Sequence, residues 1–287
     1  MERKTNLTIK QCLAITKHCF LAFEDAYDAK VDSEVLLSAI LKKPKSYLLT
    51  WPEQQLTDAQ YRQFQEFVER RQQGEPVAYI IGYQEFWSLN FKVAPCTLIP
   101  RPDTEVLIET VLENHPQRQL RLLDLGTGTG AIALALAHEN PSWQVDAVDF
   151  NDQAVTLAKD NANTLQLDHV AIYQSDWFTN IDASKRFDII VSNPPYIADD
   201  DPHLTQGDVR YEPVSALIAK NQGYADIIHI VDVAKQYLKP AGALYLEHGF
   251  EQHQQVQQIL AEAGYVNVDT AYDYGGNPRI TYGYLPD

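Results

Sequence analysis

The sequence predicts an α/β protein: a Rossmann-like, mostly parallel sheet of seven strands, preceded by a small helical domain and a β-hairpin linker. Three observations predict it. Beyond Pro102 strand patterns alternate with helical ones, as in a parallel sheet covered on both faces. The first 75 residues carry only helical periodicity. A length of 287 residues is long for one compact domain and comfortable for two.

The elements follow in order. Thr8 with Gln11, and Thr57 with Gln60, each match a capping box, in which a hydroxyl and a reciprocal amide satisfy free backbone N–H groups. Behind the first lie Cys12, Leu13, Cys19, Phe20 and Phe23; behind the second lie Tyr61, Phe64, Phe67 and Val68. Val35, Leu36, Ala39 and Ile40 mark a shorter helix between them. The helical pattern stops around Gly74-Glu75-Pro76, and Leu89, Phe91 and Val93 then alternate with polar neighbours as a hairpin does. The expected domains are therefore 1–75, a helical bundle that docks substrate; 76–101, a linker with the hairpin; and 102–287, the sheet domain. Strands are expected near 120–125, 144–149, 169–174, 187–192, 242–247, 264–270 and 279–284. Helices are expected near 103–114, 130–139, 151–166, 223–238 and 250–263, and 198–213 reads as a polar loop.

Composition excludes several classes of function. Lysine and arginine number 23 against 39 aspartates and glutamates, a net charge of −16, which repels phosphate backbones and disfavours direct nucleic-acid binding. No window approaches the ~18 consecutive apolar residues of a membrane helix, and Met1–Asn6 is not followed by a hydrophobic signal region, so a cytoplasmic protein with no membrane partner is expected. Cys12, Cys19 and Cys96 form no CxxC pair and no even framework; Cys12 and Cys19 read as core thiols, and no metal site is expected.

The strand Leu120–Leu125 runs into Gly126-Thr127-Gly128-Thr129-Gly130 and then into the helical Ala131–Leu136. Glycines at a strand-to-helix turn permit positive φ and let a ligand approach the backbone, so a nucleotide-like ligand is implied. Asp149 ends the next strand 19 residues past Gly130, where a carboxylate can accept hydrogen bonds from both ribose hydroxyls. It also suits a solvated helix start. Gly126, Gly128 and Ala131 satisfy the dinucleotide pattern as well. The acid before the loop, Asp124, and the third glycine lean toward S-adenosylmethionine, which has no pyrophosphate to place and carries an ammonium group that an acid could meet.

Phe187–Ser192 reads as a buried strand that delivers Asn193-Pro194-Pro195-Tyr196 to the carboxyl end of the sheet, where ligands bind in such folds. A planar amide or aromatic amine is a poor nucleophile because its lone pair is delocalised. Acceptors that hold its N–H groups favour localisation of that pair. Asn193 can offer its side-chain oxygen and Pro194 its carbonyl, the prolines remove competing donors and stiffen the loop, and Tyr196 offers a flat ring. Such a site acts by positioning and electrostatics, with the proton lost to water afterwards.

On these residues the chain closely resembles the release factor glutamine methyltransferases, the HemK/PrmC family, over nearly its whole length. The specific parts are Gly74–Gly82, Glu85-Phe86-Trp87, Leu98–Glu105, Asp124–Gly130, Asn193–Tyr196, Glu212-Pro213 with Ala216-Leu217, and Glu247-x-Gly249. The resemblance implies a methyltransferase sheet, mostly parallel with its last strand antiparallel. It implies methyl transfer from S-adenosyl-L-methionine, leaving S-adenosyl-L-homocysteine, to the N5 amide nitrogen of the glutamine in the Gly-Gly-Gln motif of class 1 peptide chain release factors. Carried over, Gly126 to Gly130 (Gly126, Thr127, Gly128, Thr129, Gly130) cradle the methionine and ribose, Asp149 binds the ribose, and Asp176 and Trp177 flank the adenine. Asn193, Pro194, Pro195 and Tyr196 bind the glutamine amide, Asn193 also contacts the cofactor, and Asn193, Pro194 and Tyr196 form the catalytic set. Trp177 equally suits a packed core aromatic. Arg101 and Glu105 either border the pocket or pair with each other at a helix start, and the pairing is the favoured reading. His248, and Ala219-Lys220 where a glycine pair is usual, depart from the pattern, and a monomer is expected.

Competing readings are a ribosomal protein glutamine methyltransferase, an adenine-N6 DNA methyltransferase, a nicotinamide dehydrogenase and a non-catalytic binding module. Pro100–Glu105 and the chain length favour the release-factor branch. The charge disfavours DNA, and a dehydrogenase leaves Asn193–Tyr196 unexplained.

Overall fold

The computed structural model describes residues 7–20, 29–116, 119–205 and 207–287; the expectations for Met1–Asn6 and Phe23 lie outside the described residues. Five helices come first: α1 (Ile9–Phe20), α2 (Ala29–Leu41), α3 (Lys45–Thr50), α4 (Asp58–Gln72) and α5 (Val77–Ile81). Both capping boxes form. The Thr8 N–H donates to Gln11 Oε1 at 2.9 Å and the Gln11 N–H returns to Thr8 Oγ1 at 3.3 Å, and Thr57 and Gln60 repeat the pair at the same two distances. Ile9, Cys12, Leu36, Leu37, Leu48 and Phe64 fill the core of these helices. Burial pushes the Cys12 thiol up to about 11, so it is an inert core group.

Helices α3 and α5 are additions to the sequence reading. Each follows a proline, Pro44 or Pro76, which cannot continue a helix but can precede one. The segment expected as polar loop also carries structure, with 3-10 turns at Pro202–Thr205 and Gly207–Tyr211. Residues up to Gly82 and Pro202–Tyr211 form one compact unit. Arg71, 4% exposed, donates to Asp32 Oδ2 at 2.7 Å and to Asp208 Oδ1 at 2.8 Å, so its charge is buried between two carboxylates.

The second unit comprises Tyr83–Asp201 and Glu212–Asp287. It opens with the hairpin β1 (Tyr83–Phe86) and β2 (Leu89–Lys92), whose turn residues Trp87 and Ser88 both take positive φ, the combination that matches strand twist. A 3-10 turn at Pro102–Thr104 leads into α6 (Glu105–Asn114), then β3 (Arg121–Leu125), α7 (Ala131–Glu139), β4 (Gln144–Asp149), α8 (Asp152–Leu165), β5 (Ala171–Gln174) and β6 (Phe187–Ser192). After the long loop come α9 (Ala225–Ala234), β7 (Leu238–Glu247), α10 (His253–Glu262), β8 (Val266–Tyr272) and β9 (Pro278–Tyr284). Seven strands form one sheet in the order β5-β4-β3-β6-β7-β9-β8. The pairs from β5 to β7 are parallel, and β9 enters antiparallel between β7 and β8. The fold class is the one the strand and helix patterns predict.

Alternate residues explain the two covered faces. Leu122, Ile189, Val191, Ala243 and Tyr245 join the core under α6, α7 and α8. Leu123, Leu125, Ile190, Leu244 and Leu246 join the opposite core under α9 and α10. Strand β7 starts earlier than its apolar run because a register irregularity against β6, with Ala241 at φ 57°, lets pairing extend back to Leu238. Because β3 lies between β4 and β6, the chain order reverses there, and the turns after β3 and β6 open into one crevice.

His248, the departure just past β7, is fully buried, with Nε2 2.7 Å from Thr281 Oγ1 and Nδ1 2.9 Å from the Gly249 carbonyl. Burial lowers its pKa to about 4, and a neutral ring that donates from Nδ1 and accepts at Nε2 satisfies both contacts. Its folded pKa lies below the unfolded value of 6.5, so the unfolded state binds the proton first. Stability is full above pH 6.5 and falls as pH drops toward 4, by up to about 3 kcal/mol. Urea unfolding across that window should show a smaller pH dependence in His248→Gln; equal dependence in the two proteins would contradict the neutral assignment.

Candidate active site

The crevice holds a cavity of about 390 Å³. Of the residues predicted from sequence, Gly126, Thr127, Gly128, Thr129, Asp149, Asp176, Trp177, Asn193 and Pro195 line it. Gly130, Pro194 and Tyr196 do not. Gly130 caps α7 with φ 85°, and a Cβ there would lie 2.9 Å from Leu134 Cδ1, so its task is close helix packing.

The carboxylate after β4 shapes the glycine turn. Gly128 N–H donates to Asp149 Oδ2 and Asn151 N–H to Oδ1, both at 2.8 Å, leaving each oxygen a lone pair for a ligand. Burial raises the Asp149 pKa and the two N–H donors oppose the rise. The expectation that Asp124 meets an ammonium group is corrected: it is 0% exposed and does not line the cavity. It binds Thr127 Oγ1 at 2.6 Å and the Ala133 N–H at 3.2 Å, and so ties the turn to α7. Its other oxygen has no partner, and desolvation pushes its pKa up to about 7.

The cavity fits S-adenosylmethionine. Gly126 takes φ 71°, where a side chain would be strained, and it lines the cavity with the Trp177 ring beside it. The Asp149 carboxylate, that ring and the exposed Asp176 lie along the same cavity.

Sequence reasoning missed several lining residues. Phe150 follows Asp149 and is 63% exposed; an exposed aromatic at the carboxyl end of a buried strand was a legible signal. Thr104 lies within the Leu98–Glu105 stretch but was not singled out from it, and Asp226 carried no signal, because only the topology brings it here. Burial and the nearby Asp176 raise the Asp226 pKa. Cys96 also lines the cavity, and burial raises its thiol pKa, which disfavours a nucleophilic role. Arg101 borders the cavity and Glu105 does not, and the two do not pair with each other. Arg101 donates to the fully buried Glu212 at 2.7 Å, Glu212 also accepts the Ile99 N–H at 3.1 Å, and Glu105 accepts the Trp87 N–H at 2.7 Å. Residue 101 precedes the helix, so helical spacing did not apply.

The loop after β6 is braced from three sides. Ser192 Oγ donates to the Leu125 carbonyl at 2.8 Å, which ties the ends of β6 and β3. Gly249 N–H donates to Gln252 Oε1 at 2.8 Å, and Gln252 Nε2 donates to the Tyr196 carbonyl at 3.1 Å, which gives the Glu247-x-Gly249 motif a task. At Gly223, with φ 88°, a Cβ would lie 2.2 Å from the same carbonyl. Ala219 and Lys220 need no glycine, because the positive φ angles fall at Asn221, Gln222 and Gly223. Asn193 Nδ2 lies 3.5 Å from Thr104 Oγ1, and the Tyr196 hydroxyl lies 3.5 Å from Glu247 Oε1.

No described helix is long and apolar enough to cross a membrane, and no cluster of potential metal ligands occurs among the described residues.

Comparison with known proteins agrees with this geometry. The Methyltransferase small domain matches residues 102–209, and the PrmC N-terminal domain matches residues 15–82. A release factor glutamine methyltransferase of Aliivibrio fischeri is 52% identical over 92% of this chain and 93% of its own length. One from Shewanella oneidensis is 54% identical over 89% of each chain. The crystal structure of a methyltransferase from Pyrococcus furiosus, 17% identical, aligns with 76% of this chain and 98% of its own at a TM-score of 0.53, a likeness of fold. With half of its residues shared over nine-tenths of its length, the chain belongs to the release factor glutamine methyltransferase family.

Proposed function

We propose that this protein methylates the side-chain amide nitrogen of the glutamine in the Gly-Gly-Gln motif of class 1 peptide chain release factors, with S-adenosylmethionine as donor. The observation that carries the reading is the convergence of the glycine turn, Asp149 and Asn193 on one cavity at the carboxyl end of the sheet. Bound there, S-adenosylmethionine supplies a sulfonium-activated methyl group. Gly126, Thr127, Gly128 and Thr129 face it with backbone, Asp149 accepts from its ribose, and Asp176 with Trp177 flanks its adenine.

The Asn193 side-chain oxygen and the Pro194 carbonyl accept the two N–H groups of the target amide. This fixes the nitrogen and favours its lone pair over amide resonance. Pro194 and Pro195 keep competing donors away, and Pro195 with Tyr196 completes the loop that receives the flat amide. The product amide loses its extra proton to water, so the chain needs no strong base. A net charge of −16 supports a protein acceptor over a nucleic acid.

Two measurements test this reading. Calorimetry should show binding of S-adenosylmethionine and none of NAD. Labelled methyl should pass to a class 1 release factor, and not to ribosomal proteins or adenine-containing DNA. Label on either of those alone would replace the reading.

A further inference from the structure

The proposed chemistry leaves one buried acid unused. Glu247, at the end of β7, is 2% exposed, does not line the cavity, and has one carboxyl oxygen, Oε2, with no hydrogen-bond partner. A buried carboxyl without a full set of partners costs stability, so its position calls for a task. Its surroundings point to one. The Tyr196 hydroxyl lies 3.5 Å from Glu247 Oε1, toward which it can donate, and the Thr104 hydroxyl favours the ionised form of the same carboxyl. Thr104 lines the cavity, and its oxygen faces Asn193 Nδ2.

The two ends of an asparagine amide have nearly the same shape, so hydrogen-bond polarity decides which end points where. A carboxylate only accepts. Facing Glu247, the Thr104 hydroxyl must spend its single hydrogen there, and its oxygen is left as an acceptor. That acceptor takes the NH₂ end of Asn193, which turns the carbonyl end away from Thr104. We propose that Glu247 is a positioning residue for methyl transfer: by accepting the hydrogens of Thr104 and Tyr196 it orients Asn193 so that its oxygen, not its NH₂, meets the target amide. The inference rests on the role given to Asn193 above.

The polarity holds only while Glu247 is ionised. Protonated, it donates as well as accepts, and Thr104 is free to reverse. Burial pushes the Glu247 pKa up to about 7; Thr104, Tyr196 and Arg279 favour the carboxylate and Asp103 opposes it. Arg279 is shared with Asp103 at 3.0 Å and Asp273 at 3.1 Å, Arg101 also favours the ionised form of Tyr196, and the adjacent His248 is neutral.

Glu247→Gln copies the protonated carboxyl in shape and polarity, so it should behave at every pH as the native protein does in acid. At saturating cofactor and release factor, the ratio of native to Glu247→Gln kcat should be about two at about pH 6 and rise to on the order of tenfold by about pH 8.5, with S-adenosylmethionine affinity unchanged. Thr104→Val should give the same low, flat profile, and Thr104→Ser, which keeps the hydroxyl, should restore the rise. A ratio independent of pH, or a Thr104→Val protein that keeps the native rise, would overturn the proposal. Native protein that fails to methylate release factor at any pH would instead overturn the function on which it rests.

Discussion

Asn193→Ala is expected to lower methyl transfer to release factor by ~10²–10³ at saturating cofactor, the usual cost of one preorganised polar partner to a reacting group. Cofactor affinity should hardly change, because Gly126, Gly128 and Asp149 belong to the turns after β3 and β4, whereas Asn193 follows β6. Asn193→Asp is the sharper probe. It keeps the shape and an acceptor, yet places a negative charge beside the sulfonium. That charge favours the cationic ground state over a transition state in which the positive charge disperses. Slow methylation with near-native cofactor binding is therefore expected for both variants. Full activity of Asn193→Ala, measured by methyl incorporation, would move the chemistry to another residue.

Asp149→Ala should have the largest effect on cofactor binding. Each charge-assisted hydrogen bond to a ribose hydroxyl contributes on the order of 1.5–3 kcal/mol, and the carboxylate can accept two. The structure adds a second cause. The same carboxylate holds the Gly128 and Asn151 N–H groups at 2.8 Å, so its removal also frees the turn that faces the cofactor. Affinity should fall at least tenfold by calorimetry, with the unfolding midpoint of the apoprotein changed far less. Unchanged affinity would remove Asp149 from the site.

Much of the fold was legible because its signals are local. The buried strands Phe187–Ser192 and Gln144–Asp149 run over the expected residues, and both capping boxes form between residues three apart. What sequence missed has non-local or competing causes. Helix α5 follows a proline that reads equally as a stop, and the early start of β7 depends on pairing with β6. In the site, residues beside a motif could be named from it, namely Asn193 next to its prolines and Asp149 at its strand end. Thr104 and Asp226 come from distant segments, and only the fold brings them to the cavity. Polarity was legible in kind but not in partner: Arg101 suggested Glu105 by spacing and found Glu212 by topology.

Peptide mass spectrometry of a class 1 release factor, after incubation with this protein and isotopically labelled S-adenosylmethionine, tests the central claim most directly. One labelled methyl group is expected on the glutamine of the Gly-Gly-Gln motif. The label should be absent when that glutamine is replaced by glutamate and nearly absent with Asn193→Ala. Label at any other residue, or undiminished label on the glutamate-substituted factor, would contradict the account.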